Sequence, residues 1–185
     1  MRAHGKCGLA EAQNADPFGA LLKAIVSQQL STKAARTIYL RLMALFDGVP
    51  TPLALERLSD AGLRAAGLSG QKLRYIRDLG ARVRDGSLPL HSLETMSDDE
   101  VIVALTRVKG IGRWTAEMFL MFRLHRPDVL PVGDLGIVKA VQKAYGLRKT
   151  PTPDRLHEIG EAWRPYRSVA CWYLWRSLNN APASD

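Results

Sequence analysis

The sequence predicts an all-α fold, and three observations lead there. Across its 185 residues, apolar side chains recur at three- and four-residue spacing, the interval that lines one face of a helix. No alternating apolar and polar series supports a substantial sheet. Glycines, prolines and short polar clusters fall between the periodic segments, where helices start and stop. The length fits one domain or two closely packed helical lobes.

Residues 1–15 carry no packing pattern and are expected to form a flexible N-terminal segment, with a compact core over 16–179 and a C-terminal tail at 180–185. After Pro17, the stripe of Phe18, Leu21, Leu22, Ile25 and Val26 predicts a first helix, and Ala34, Ile38, Leu42 and Leu45 predict a second. Between them lies Ser27-Gln28-Gln29-Leu30-Ser31-Thr32, polar for a core connection and placed where one helix can end and the next be capped. Short helices follow around Leu53 to Leu58, Ser59 to Ala66 and Lys72 to Val83, joined by Gly62, Gly67 and Gly70. Asp98 to Leu105 and Trp114 to Leu124 make a helical hairpin. Leu135 to Tyr145, Arg155 to Trp163 and Ser168 to Leu178 complete the bundle.

Lys and Arg number 26 against 18 Asp and Glu, a formal net charge of +8 that favours a polyanionic partner. Charge alone fits RNA, DNA or an anionic membrane surface. The basic residues, among them Lys23, Lys33, Arg36, Lys72, Arg74, Lys139, Arg164 and Arg167, are dispersed over helices and turns as on a folded basic face. Cys7 and Cys171 are too few for a disulfide framework, a four-cysteine zinc site or an iron–sulfur cluster, and Cys171 in its aromatic run is expected to be a buried thiol. His4, His91, His125 and His157 have no compact ligand spacing. With neither a leader pattern nor an apolar segment of transmembrane length, a cytoplasmic protein without membrane contact is expected.

Two motifs carry the chemistry. In Val108-Lys109-Gly110-Ile111-Gly112 two glycines flank an apolar residue, so the chain can turn tightly between helices while Ile111 packs inward. The exposed amides and the following helix N-terminus can grip a phosphate, with Lys109 and Arg113 adding charge beside it. A plain αα-hairpin, with Gly110 and Gly112 serving packing only, is the competing reading. A dinucleotide site is disfavoured, because it needs a preceding strand where Asp99 to Thr106 reads as a helix. Downstream, Pro131-Val132-Gly133-Asp134 sets a constrained turn before an apolar helix. Asp134 is then a helix cap, a controlled catalytic carboxylate, or both.

With these motifs in order, together with Ser27-Gln28-Gln29-Leu30-Ser31, Lys139 and Trp163-Arg164-Pro165-Tyr166-Arg167-Ser168, the chain resembles the helix-hairpin-helix DNA glycosylases, specifically the AlkA-like 3-methyladenine DNA glycosylase II family. The resemblance runs from about Asp16 to Asn179. It implies two closely packed helical lobes with the active site in the cleft between them, without the N-terminal sheet-containing domain of longer members. Its matching aspartate is catalytic, which turns Asp134 toward that role. The implied reaction is N-glycosidic hydrolysis of a flipped, alkylated purine in damaged double-stranded DNA, chiefly 3-methyladenine with 7-methylguanine second, by a monomeric enzyme.

Several further expectations follow from the resemblance. Trp114, which can otherwise fill the core, becomes a pocket wall; it stands where strand-cleaving relatives carry a Schiff-base lysine, so a monofunctional enzyme is implied. Met118 replaces a stacking tyrosine, Trp163 and Tyr166 join the aromatic wall, and Phe18 is a pocket or core residue. Trp172, Tyr173 and Trp175 are expected mainly to fasten the last helix. Gln28 and Gln29 are candidate duplex probes, and Lys109, Gly110, Gly112, Arg113, Thr115 and Lys139 candidate DNA contacts. No cofactor is required, although carbonyls around Val108 and Ile111 can hold a structural monovalent cation. The reading from another class is a non-catalytic helix-hairpin-helix DNA-binding module in which Asp134 only caps. Two-metal nuclease chemistry is disfavoured for want of a multidentate carboxylate site.

Overall fold

The computed structural model describes residues 5–9 and 16–179, and among them all regular structure is helical. The rest of the expected flexible N-terminal segment, 1–4 and 10–15, and the expected C-terminal tail, 180–185, lie outside the described residues. The helices are α1 (Pro17–Ser27), α2 (Thr32–Met43), α3 (Pro52–Arg57), α4 (Asp60–Ala65), α5 (Gly70–Arg84), α6 (Asp98–Thr106), α7 (Arg113–Phe122), α8 (Leu135–Ala144), α9 (Pro153–Glu161) and α10 (Arg167–Asn179). Side-chain oxygens cap eight of them, from Asp16, Ser31, Thr51, Ser59, Ser69, Ser97, Asp134 and Thr152. Local chemistry thus starts the helices where the polar punctuation predicts. The described residues fall into two units, 16–116, and 5–9 with 117–179; the division falls within α7.

In the first unit α5 is the central strut, packed on by α1, α3 and α4. Its Leu73, Ile76 and Leu79 are buried with Leu21, Leu22 and Ile25 of α1. Arg77, also on α5, donates to the carbonyls of Leu55 and Leu58 at 2.6 Å each and so closes the C-terminal end of α3. One expectation fails. The second helix ends at Met43, so Leu45 is not on its buried stripe; Leu45 is exposed and Phe46, one residue later, is buried.

In the second unit α8 packs on α10. Ser168 ties the start of α10 to the preceding loop, accepting from Val129 N–H at 2.9 Å and donating to the Arg126 carbonyl at 2.7 Å. Arg167 adds a charged clamp on Asp128 at 2.6 Å. Within the segment 5–9, Leu9 is buried and the Gly5 carbonyl accepts from the Tyr173 hydroxyl at 3.0 Å.

Candidate functional site

Asp134 closes a tight turn, with its N–H donating to the Pro131 carbonyl at 3.0 Å, and then caps α8. Its Oδ1 accepts the Ile137 N–H at 2.8 Å, and the indole N–H of Trp175 on α10 reaches the same oxygen at 2.8 Å. The carboxylate is only 9% exposed, so these donors replace lost water. Trp175 is itself held by stacking on Phe122, ring centroids 6.0 Å apart. Residue 136 must be glycine for this approach, since a Cβ there would lie 2.9 Å from both Asp134 Oδ1 and Trp175 Cδ1. One helical turn before Trp175, Cys171 is fully buried; burial, reinforced by the charge of Asp134, pushes its thiol up to about 12. It is an inert core thiol, as its aromatic setting predicts.

The hairpin is built in the first unit. Val108 and Ile111 are buried and close it, Ile111 N–H donating to the Val108 carbonyl at 3.0 Å. Its two glycines differ in purpose. Gly110 has φ +82° and the Tyr75 ring stands where any Cβ would project, so the protein itself requires glycine there. A Cβ at Gly112 would meet nothing within 4 Å, so packing accounts for Gly110 alone. Gly112 opens α7, its carbonyl accepting the Ala116 N–H at 3.1 Å, and it brings no side-chain cap of its own. Lys109 donates its backbone N–H to Asp78 at 2.9 Å while its side chain stays 69% exposed. Arg113 is exposed as well.

The polar turn after α1 stands against this hairpin. Gln28 donates from its side-chain amide to the Gly110 carbonyl at 2.7 Å, tying the turn to the hairpin. Gln29 is exposed and held at φ +56°, a left-handed conformation that a non-glycine residue adopts at a cost. Leu30 is 39% exposed beside it.

The expected aromatic residues divide. Trp114 is 48% exposed and Tyr166 62%. Met118 is half-buried, and Trp163 is half-buried with its N–H donated to the Tyr145 hydroxyl at 3.1 Å. Phe18 is 2% exposed among the core residues of α1, so it offers no ring face to a ligand and belongs to the core side of its two readings. Thr115 is buried too, whereas Lys139 is exposed on α8. Among the described residues, no group of three or more His, Cys, Asp or Glu is placed to hold a metal ion, and no helix is long and apolar enough to cross a membrane.

The family model of HhH-GPD superfamily base excision DNA repair proteins matches residues 22–165, a span that takes in the turn, the hairpin and Asp134. The chain belongs to this family. Among HhH-GPD relatives, a DNA-3-methyladenine glycosidase crystal structure from Bacillus halodurans is 44% identical, with TM-score 0.84 over 91% of this chain and 78% of that one. A Schizosaccharomyces pombe 3-methyladenine DNA glycosylase, solved in complex with abasic DNA, is 35% identical with TM-score 0.79, covering 91% of this chain and 84% of that one. The curated DNA-3-methyladenine glycosylase 1 of the same yeast is 36% identical over 165 residues, 88% of this chain and 72% of its own length.

For this HhH-GPD chain, sequence reasoning missed three contributors. Trp175 was assigned to fastening α10, yet it holds Asp134. Its position four residues after the buried Cys171 placed it on the inward face, a signal available in the sequence. Gly136 and Lys72 carried no such signal, because the Trp175 ring that Gly136 admits and the Val26 and Gln28 carbonyls to which Lys72 donates are brought near only by folding.

Proposed function

We propose that this HhH-GPD chain is a monofunctional DNA glycosylase that hydrolyses the N-glycosidic bond of alkylated purines in duplex DNA. Its preferred product is 3-methyladenine, followed by 7-methylguanine. The observation that carries this reading is the buried carboxylate of Asp134, oriented by two donors on one oxygen. The relatives named as 3-methyladenine glycosylases support the substrate class.

An alkylated purine charged at N3 or N7 is already a good leaving group. As the C1′–N bond breaks, the bonding pair leaves with the base and positive charge builds on the deoxyribose. Asp134 stabilises that charge and takes a proton from the water whose oxygen attacks C1′, giving free base and an abasic site. Trp114, about half exposed, stacks on the electron-poor flipped base. No primary amine stands at that position, so no imine links enzyme to DNA there and borohydride traps no covalent complex.

DNA is held by the hairpin. The open space at Gly112 lets a phosphate approach the first turn of α7, with the exposed Lys109 and Arg113 alongside. The carbonyls of Val108 and Ile111 are neutral oxygen donors suited to a structural monovalent cation. Val108 already accepts one N–H and retains a second lone pair.

The test is base release from methylated, hypoxanthine-containing, uracil-containing and undamaged duplexes, with an Asp134→Asn control. Asn also caps helices well, so the variant stays within about 1 kcal/mol of wild-type stability while release is lost. Tight duplex binding without release of any base identifies a non-catalytic module instead, and selective release of uracil rejects the alkylation assignment.

A further inference from the structure

One face of α5 touches both DNA-facing elements of the first unit. Lys72 donates its ammonium to the carbonyls of Val26 and Gln28 at 2.6 and 2.8 Å, closing the C-terminal end of α1 just where the polar turn begins. Three residues on, the Tyr75 ring fills the space beside Gly110. Three further, the Asp78 carboxylate accepts the Lys109 N–H at 2.9 Å. Gln28 then links the two elements directly, its amide on the Gly110 carbonyl at 2.7 Å.

We propose that Lys72 and Gln28 are positioning residues of a brace that sets the turn at Gln29 and Leu30 in register with the phosphate-gripping hairpin, so that duplex opening and backbone grip occur together. Lys72 is one of the basic residues dispersed as on a folded basic face, yet its ammonium is directed at two carbonyls of its own chain. Desolvation lowers its pKa from the ordinary lysine value, as befits a charge drawn out of water. The left-handed Gln29 is a second reason for a brace, because a strained residue keeps its conformation only where its neighbours over-determine it. Lys72 therefore serves DNA engagement through geometry, without neutralising a phosphate.

The inference rests on the duplex-opening role proposed for the turn. The experiment measures single-turnover base release from a methylated duplex against enzyme concentration and salt, for wild type, Lys72→Met, Gln28→Ala, the double variant and Lys109→Gln. Each brace variant is expected to raise the half-saturating concentration roughly tenfold while the maximal rate changes less than about twofold. The double variant is expected to be little worse than either single one, the mark of one shared unit. Lys72→Met should keep the wild-type salt slope, whereas Lys109→Gln should reduce the magnitude of the log–log slope by about 0.9, the value of one phosphate contact. A slope loss of that size in Lys72→Met, additive effects, or a fall in maximal rate at unchanged half-saturation overturns the brace.

Should Lys72→Met fail to fold, Gln28→Ala decides, and a folded Gln28→Ala protein with wild-type half-saturation overturns it. Lys72→Arg, which keeps two donors, is expected to restore most of the engagement. Wild-type protein that releases no base sinks the glycosylase reading. The brace then stands or falls on the same variants' duplex-binding isotherms.

Discussion

Trp175 and Ile137 share one oxygen of Asp134, the indole N–H and the backbone N–H each reaching Oδ1 at 2.8 Å. Capping and positioning are therefore a single arrangement, and the carboxylate is oriented from its own helix and from α10. Trp175→Phe keeps a ring for the stack on Phe122 but removes the donor. The variant is expected to lose about 1.5–3 kcal/mol of stability, the range for a hydrogen bond to a charged group. Release at saturating enzyme should fall roughly tenfold or more as Asp134 gains freedom, with lesion-duplex affinity little changed. Unfolding curves and single-turnover release check both, and unchanged release separates Trp175 from the chemistry.

The two hairpin glycines should respond oppositely to alanine. Gly110→Ala places a methyl into the Tyr75 ring at positive φ, so a loss of about 2–4 kcal/mol is expected. Gly112→Ala meets open space and should stay within about 1 kcal/mol of wild type while weakening DNA binding. Denaturant titration beside a binding isotherm separates them. Unimpaired binding by Gly112→Ala counts against phosphate approach at that point.

Acid sensitivity follows from two clamped carboxylates. Burial pushes the Asp78 carboxyl up, but the Lys109 N–H and Arg82 outweigh it, leaving Asp78 below its ordinary value. For Asp128, burial is likewise outweighed by Arg167 and Arg164. A depressed folded pKa means the unfolded chain binds protons first, so the stabilisation is complete above the unfolded carboxylate value of about 3.9 and is lost as pH falls through and below it. Asp78→Asn should flatten part of that acid limb in thermal unfolding measured from pH 6 to 3, and an unaltered limb would show that Asp78 contributes nothing there.

Thiol chemistry gives a structural check. Cys171 is fully buried with its thiol pushed up to about 12, whereas Cys7 is partly exposed. A disulfide reagent at neutral pH is expected to modify one thiol in the native protein and both after denaturation. Rapid native modification of Cys171 would contradict the packing of α10 beneath Asp134.

The sequence by itself determined the all-helical class, the capped starts, the hairpin turn and the burial of Ile111 and Cys171. Each of these is a local matter, decided by neighbours within about a turn of helix. It also left Phe18 between core and pocket and placed Leu45 on a stripe that ends at Met43. Tertiary structure decided those cases. The Gln28 amide finds its acceptor 82 residues away at Gly110, and the Trp175 indole finds Asp134 at a separation of 41. Periodicity states which face of a helix turns inward, but the partner waiting there depends on how distant elements pack, and no spacing rule along the chain encodes it.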